Sequence, residues 1–264
     1  MAELFDMRIR AMRRDRAARS GVELFLYERA FADCLERIEL MQRQFERALL
    51  IGCPDPTWAK RLRALGPDVQ ILDPGALFAD AAGGSAVIED AWLPPEQGYD
   101  LIVSVGTLDT VNDLPLALRL TSYALSLGGL LIGAMAGGET LPRLREAMRA
   151  ADEATGAAAP HVHPRIEPSA LSSLLAESGL ANPVVDIDRV NLSYQSIEGL
   201  VRDLRAMGLT NVLAARPHFI RRAGRTAAAT SFSAAGRDGR TTETVEILHF
   251  AAWAADKPAG ALTL

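Results

Sequence analysis

The chain has 264 residues, 49% of them hydrophobic and 23% charged, which is ordinary for a globular protein of one large domain or two small ones. Its net charge of −5 provides no basic field to favour nucleic acid as a partner. The two cysteines, Cys34 and Cys53, have no CxxC spacing and no histidine-rich neighbourhood. This argues against a disulfide framework or a zinc site, and it predicts a reducing, cytoplasmic location.

The N-terminal segment is rich in arginine, and no apolar run in the chain approaches the length of a membrane span. Acidic residues interrupt the arginines, so we interpret the segment as part of the mature protein rather than as a transit peptide. Residues 6–19 permit a helix whose basic side chains form a solvated face, with covering of a cofactor or docking of a partner as alternatives. Phe31, Leu35 and Ile38 have helical spacing within residues 22–46, which predicts an amphipathic helix. Residues 1–46 are therefore expected to form an N-terminal helical extension.

From residue 47 the pattern alternates between short apolar runs and helical segments, as parallel α/β proteins do. The predicted strands are residues 48–51, 69–72, 86–88, 101–105 and 130–135. The predicted helices are residues 57–65, 76–82, 114–127, 140–154 and 169–178, and Gly128-Gly129 is expected to end the third of them. No linker divides residues 47–264, which we predict to be one domain.

The last third of the chain has a different pattern of apolar and charged residues. Residues 184–190 alternate apolar and charged side chains, which is typical of a half-buried strand. A helix over 196–207, irregular helical signals over 209–235 and a final strand over 244–250 follow. We therefore predict a mostly parallel sheet with a late antiparallel edge.

Ligands of such folds lie across the carboxyl ends of the strands, so the candidate site consists of strand-end residues. Its predicted members are Gly52, Cys53, Asp73, Glu89, Asp90 and Val105. Asp73 follows the first turn by roughly 20 residues, the spacing at which a carboxylate binds ribose hydroxyls, although it equally suits a cap of the next turn. Glu89 or Asp90 suits an adenine amine, with solvation at a strand end as the alternative. A phosphate site is not indicated, because the chain has no P-loop lysine and no glycine-rich cradle.

Together these features resemble a class I S-adenosylmethionine-dependent methyltransferase. The chain is more narrowly similar to the biotin-synthesis-type methyltransferases and to the methyltransferase-like assembly factors of respiratory complex I. The residues that carry this resemblance are Phe5-Asp6, Arg13-Arg14-Asp15-Arg16-Ala17-Ala18, Val111-Asn112-Asp113-Leu114-Pro115, Gly137-Gly138-Glu139-Thr140-Leu141, Pro160-His161 and Asp203-Leu204-Arg205-Ala206-Met207-Gly208. The resemblance implies a Rossmann-like, seven-stranded methyltransferase sheet, with S-adenosylmethionine over the first two turns and a small-molecule or protein methyl acceptor.

The chain departs from this family at two loops. The first turn, glycine-rich in the family, is Gly52-Cys53-Pro54-Asp55-Pro56, in which two prolines remove backbone donors and Asp55 is placed to cap the next helix. After the fourth strand, Leu108-Asp109-Thr110 stands where relatives often have Leu-His-Trp. Two hypotheses follow: a methyltransferase with an unknown acceptor, or a methyltransferase-like protein with lost or altered cofactor use. The second would act by binding a protein as an assembly factor, with respiratory complex I as the candidate that the resemblance implies.

His161 and His163 have a spacing that permits metal binding, but no nearby cysteine or acidic cluster completes a site. We therefore predict a loop over the substrate face there, as the resemblance implies, and no metal. A relative of the family that hydroxylates a protein arginine is a further alternative for the activity.

Overall fold

The computed structural model describes residues 3–21, 23–217 and 219–255 of the chain. The outermost residues of the two predicted domains, 1–2 and 256–264, lie outside this range. The described helices are α1 (Met7–Ser20), α2 (Phe25–Leu40), α3 (Pro56–Arg63), α4 (Ala76–Ala82), α5 (Leu114–Ala124), α6 (Pro142–Thr155), α7 (Pro168–Glu177), α8 (Ile197–Ala206) and α9 (Arg222–Ala234). The strands are β1 (Arg47–Ile51), β2 (Asp68–Asp73), β3 (Ser85–Ala86), β4 (Tyr99–Val105), β5 (Leu125–Ala136), β6 (Leu180–Tyr194) and β7 (Thr241–Ala254).

The strands form one seven-stranded sheet in the order β3-β2-β1-β4-β5-β7-β6. The pairings from β3 to β5 are parallel, whereas β7 is antiparallel to both β5 and β6. The predicted mixed, mostly parallel α/β sheet is confirmed. The antiparallel strand β7 lies one position inside the edge that β6 forms.

Helices cover both faces of the sheet. One apolar core includes Leu50 of β1 with side chains of α2, α3, α6, α8 and α9. The other includes Leu49 of β1 with side chains of α5 and α7. Successive residues of β1 thus enter opposite cores, and this explains the continuous apolar runs of the central strands. None of the described helices combines the length and apolarity that a membrane crossing requires.

The junction between α5 and β5 differs from the sequence prediction. The helix ends at Ala124, and Gly128-Gly129 lies within β5 rather than at the helix terminus. The backbone N–H of Gln97 donates to the carbonyl of Tyr123 at 3.0 Å, which gives the last helical turn a partner outside the helix. Gly128 has φ +66°, and the pairing of β4 with β5 shifts register between Tyr99 and Leu101. The glycines therefore accommodate an irregularity in the strand.

The two N-terminal helices have different places: α2 packs on one face of the sheet, whereas α1 lies at its carboxyl edge. Phe31 of α2 stacks on Trp58 of α3 with ring centroids 4.3 Å apart, and both side chains are fully buried. Helix α1 packs against α4 and α8. The edge at which the sequence places the ligand is therefore covered by residues of the chain itself.

Candidate functional site at the carboxyl edge of the sheet

The first turn keeps the tight geometry expected of a ligand-binding turn. Gly52 has φ +85°, and its N–H donates to the carbonyl of Leu72 at 2.8 Å. A Cβ at this position would overlap the carbonyl oxygen of Val105 and the methyl group of Thr107, so only glycine permits this approach of β1 to β4. Val105, a predicted site residue, thus borders the turn through its backbone.

Beyond Gly52, the polar side chains of the turn form hydrogen bonds with backbone groups of the turn and of the helix that follows it. Asp55 caps α3 as expected, with its carboxylate accepting from the N–H of Thr57 at 2.8 Å, and Pro56 occupies the first helical position. The Cys53 Sγ donates to the carbonyl of Asp55 at 3.3 Å. Burial, reinforced by the nearby Asp73 carboxylate, raises the pKa of Cys53 to about 12, so the thiol stays protonated. The side chains of this turn are therefore structural.

Asp73, at the end of β2, is fully buried and fully bonded. Arg14 of α1 donates from Nε to Oδ1 at 2.8 Å and from Nη2 to Oδ2 at 2.6 Å. The backbone N–H groups of Gly75 and Cys53 donate to Oδ1 at 2.7 Å and to Oδ2 at 2.9 Å. A carboxylate offers about four acceptor positions, and all of them are filled here.

Glu89 forms a second pair of the same kind with α1. Arg10 donates from Nη1 to Oε2 at 2.6 Å and from Nη2 to Oε1 at 2.7 Å, and its Nη2 also donates to the carbonyl of Thr107 at 2.6 Å. Both side chains are at most 5% exposed. Bidentate pairing to buried carboxylates is the strongest geometry available to arginine. A solvated basic face is therefore the wrong interpretation for Arg10 and Arg14.

Asp90, the remaining predicted acid, has a different role from its neighbour. Its Oδ2 accepts from the N–H of Asp113, the residue that caps α5. The structure thus brings Gly52, Cys53, Asp73 and Glu89 together at this edge, while Asp90 fixes the start of α5.

The loops on the acceptor side of the edge hold a further group of buried polar residues. Asp109 pairs with Arg165, and both side chains are almost fully buried. His163 accepts from the N–H of Val212 at Nε2, at 2.8 Å, and its ring meets Phe5 edge to face. Burial, with help from the charge of Arg165, lowers the pKa of His163 to about 3. His161 lies 2.8 Å from the Asp152 carboxylate instead, so the two histidines have separate partners.

Sequence reasoning did not identify Arg10, Arg14 and Asn112 as residues of this edge. Arg10 and Arg14 are four residues apart and therefore share one face of a helix. This spacing is the sequence signal that could have indicated a common role for the two arginines. Asn112 accepts from the N–H of Phe5 at 2.8 Å and donates to its carbonyl at 3.0 Å, and so fixes the segment that precedes α1. No sequence pattern indicates this contact across 107 residues.

With α1 in this position, the edge does not fit S-adenosylmethionine. The carboxylates that would bind its ribose and adenine are occupied by Arg14 and Arg10. A cavity of about 20 Å³ remains between Arg10, Arg14, Tyr27 and Gly106. Ligand pockets usually have roughly 300–1,000 Å³. Asp73 and Glu89 lie at the strand ends where the sequence predicts cofactor ligands, but arginines of the docked helix occupy both carboxylates.

Comparison with known proteins finds a matching family model and relatives along most of the chain. Residues 23–213 match a family model described as a methyltransferase domain. The arginine-hydroxylase NDUFAF5 of Rattus norvegicus mitochondria is 30% identical over 95% of this chain and 77% of its own length. The malonyl-[acyl-carrier protein] O-methyltransferase of Laribacter hongkongensis is 29% identical over 90% of this chain and 86% of its own length.

Solved structures show the same fold at low sequence identity. The YcgJ protein of Bacillus subtilis has a TM-score of 0.58 and 9% identity, and the match covers 86% of this chain and all of that one. The N-methyltransferase NodS of Bradyrhizobium japonicum, in complex with S-adenosyl-L-homocysteine, has a TM-score of 0.51 and 15% identity, with 93% of this chain and 98% of that chain covered.

Proposed function

Because this chain belongs to the methyltransferase-domain family of class I S-adenosylmethionine-dependent methyltransferases, we propose that it transfers a methyl group to an acceptor that approaches the ends of β4 and β5. S-adenosylmethionine is the cofactor of this domain. It supplies an electrophilic methyl group, and catalysis then depends mainly on positioning the acceptor in a water-poor site. The observation that carries the proposal is the pair of buried carboxylates, Asp73 and Glu89, beside the tight turn at Gly52.

The acceptor side of the edge is lined mainly by apolar side chains. A cavity of about 50 Å³, which is also far smaller than a whole ligand pocket, lies there at the ends of β4 and β5. Its apolar lining includes Leu26, Val105, Met135 and Ile247. The malonyl-[acyl-carrier protein] O-methyltransferases among the relatives make a malonyl thioester the first acceptor to assay, with malonyl-coenzyme A as the probe.

A protein arginine is the alternative substrate, since other relatives are named arginine-hydroxylases. The two acceptor classes are distinguished by product mass, because methylation of a malonyl thioester adds about 14 Da and hydroxylation of arginine about 16 Da.

A second function is favoured by one specific observation, the saturation of Asp73 and Glu89 by the chain's own arginines. A protein that keeps its ligand carboxylates permanently paired, and has Pro54 and Pro56 in its first turn, suits a role in binding another protein without cofactor. This second candidate predicts that the cofactor fails to bind even when the arginines are removed.

The proposed function is tested by comparing cofactor binding in two variants that differ only at the carboxylate. Both carry Arg14→Gln, and one also carries Asp73→Asn, so neither leaves a buried guanidinium without its partner. In equilibrium dialysis with labelled S-adenosylmethionine, we expect saturable binding to Arg14→Gln and binding at least about tenfold weaker in the double variant, since one lost bond to a charged group is worth about 1.5–3 kcal/mol. The Arg14→Gln/Asp68→Asn variant is the matched control, because Asp68 is exposed at the opposite end of β2.

Absence of saturable binding to Arg14→Gln at millimolar cofactor would overturn the proposed function in favour of the protein-binding candidate.

For location we propose a reducing, cytoplasmic compartment, which is consistent with the free thiols of Cys34 and Cys53.

A further inference from the structure

We propose that α1 is an autoinhibitory element, whose docking and cofactor binding at the Asp73–Glu89 edge are mutually exclusive. The inference rests on the proposed function, because it concerns access to the same site. It assigns Arg10 and Arg14 the role of an internal ligand that must leave before the cofactor enters.

The first argument is the number and direction of donors at Asp73. Arg14 presents two N–H donors to the two carboxylate oxygens, and backbone N–H groups fill the other acceptor positions. A ribose diol also presents two donors to such a carboxylate. Because the guanidinium is charged and the diol neutral, Arg14 forms the stronger pair of bonds. The cofactor therefore has no free acceptor at Asp73 while α1 is docked.

The second argument is that side chains of one helix, α1, occupy both carboxylates. Arg10 and Arg14 lie four residues apart on α1, so a single movement of this helix releases Glu89 and Asp73 together. Asp15 of the same helix accepts from the N–H of Leu77 in the first turn of α4, which aligns α1 with the end of β2. Cofactor binding is thus coupled to a helix rather than to independent side chains.

The third argument is that a cluster of arginines lies on another side of α1. Arg13 lies near Arg205 of α8 and Arg216, and Arg16 also lies near Arg205, so these positive charges repel one another. Burial and these neighbours together lower the pKa of Arg13 to about 10. The two buried ion pairs therefore act against a repulsion between like charges on another side of α1, which the ion pair of Asp6 with Arg216 at 3.3 Å partly offsets.

Two variants open the site by different means. Arg14→Gln removes the charge that binds Asp73. Gly75→Ala keeps every charge, but its Cβ would lie 2.7 Å from Arg14 Cβ and so push α1 away. Gly75 has φ −101° and ψ 123°, which alanine adopts without strain. Arg8→Gln, at an exposed position of α1, and Gly199→Ala, whose nearest neighbour would be 3.5 Å away, are the matched controls.

The experiment is calorimetric titration of the full chain and these four variants with S-adenosylhomocysteine. Since apparent affinity scales with the fraction of open molecules, we expect about a tenfold or greater gain in affinity for both opening variants and none for the controls. Hydrogen exchange of α1 should accelerate in the opening variants, while the amides of β1 and β4 stay protected, which shows that the variants are folded.

The outcomes separate the two claims. Equal affinity of wild type, opening variants and controls would overturn the autoinhibition and leave the proposed function standing. Absence of binding in all proteins, including Arg14→Gln with a native exchange pattern, would overturn the proposed function and the autoinhibition that rests on it.

Discussion

At the scale of single residues, the place of a side chain in the fold must be distinguished from the residue that it binds. The sequence places Asp73 at a strand end, where a carboxylate meets a ligand, and the structure has it there. Its partner is Arg14, which is 59 residues distant in the chain. A carboxylate and an arginine attract each other wherever the fold brings them together, so sequence alone does not specify the pair.

His163 provides a prediction at this scale, because its imidazole is buried as the neutral form. Its pKa is lowered from 6.5 to about 3, so between these pH values the unfolded chain binds more protons than the folded one. The stability that His163 contributes is complete above about pH 6.5 and is lost as the pH falls towards 3, by at most about 1.4 kcal/mol per pH unit.

We expect His163→Gln to weaken this pH dependence, because glutamine still accepts from the N–H of Val212 but does not titrate. Urea unfolding at pH 7 and pH 5 measures the effect, and His161→Gln is the control. An equal acid sensitivity of wild type and His163→Gln would contradict the neutral, buried imidazole.

At the scale of elements, the segment before α1 explains why this helix docks where it does. The N–H of Asp6 donates to the carbonyl of Val212 at 2.8 Å, and Phe5 forms a bridge with Leu213. Asn112 binds both backbone polar groups of Phe5. Two separated segments of the chain, at Asn112 and at residues 212–213, therefore fix the start of α1, which the helical pattern of residues 6–19 did not indicate.

Asn112→Ala should loosen this attachment, because it leaves two backbone groups of Phe5 without their partner, at a cost of about 1–3 kcal/mol. We expect faster tryptic cleavage within α1, followed by mass spectrometry. Asn191→Ala is the control, since that side chain contacts Thr244 on the exposed side of β6 and β7. Cleavage at the wild-type rate would show that Asn112 does not hold α1 in place.

At the scale of the whole molecule, the two ends of the described chain contribute differently to the sheet and its core. Strand β7 pairs with β5 on one side and β6 on the other, and most of its side chains are buried. Helix α1 instead covers the edge of a sheet that is complete without it. Loss of α1 exposes Asp73 and Glu89 to water, which solvates them.

We therefore expect a chain without residues 1–20 to keep a cooperative thermal transition, and a chain without residues 241–264 to lose it. Circular dichroism and size-exclusion chromatography distinguish the outcomes. A truncation of α1 that abolishes the transition would mean that this helix is an integral part of the core.

The sequence by itself determined the order of elements, the class of sheet and the edge at which the carboxylates lie. These properties follow from local periodicity, from caps such as Asp55, and from the rule that ligand residues end parallel strands. Strand β6 has 15 residues, whereas the sequence predicted a strand over residues 184–190 only. The alternation of buried and exposed side chains continues on both sides of those residues.

Only the tertiary structure decided what those carboxylates bind. The pairing of Arg10 with Glu89 and of Arg14 with Asp73 depends on how α1 crosses the sheet edge, and this in turn depends on contacts with Asn112, Val212 and Leu213. Such contacts join residues that are 59 to more than 200 positions apart. Local periodicity carries no information about them, because a basic helix has the same pattern whether its arginines face water or buried carboxylates.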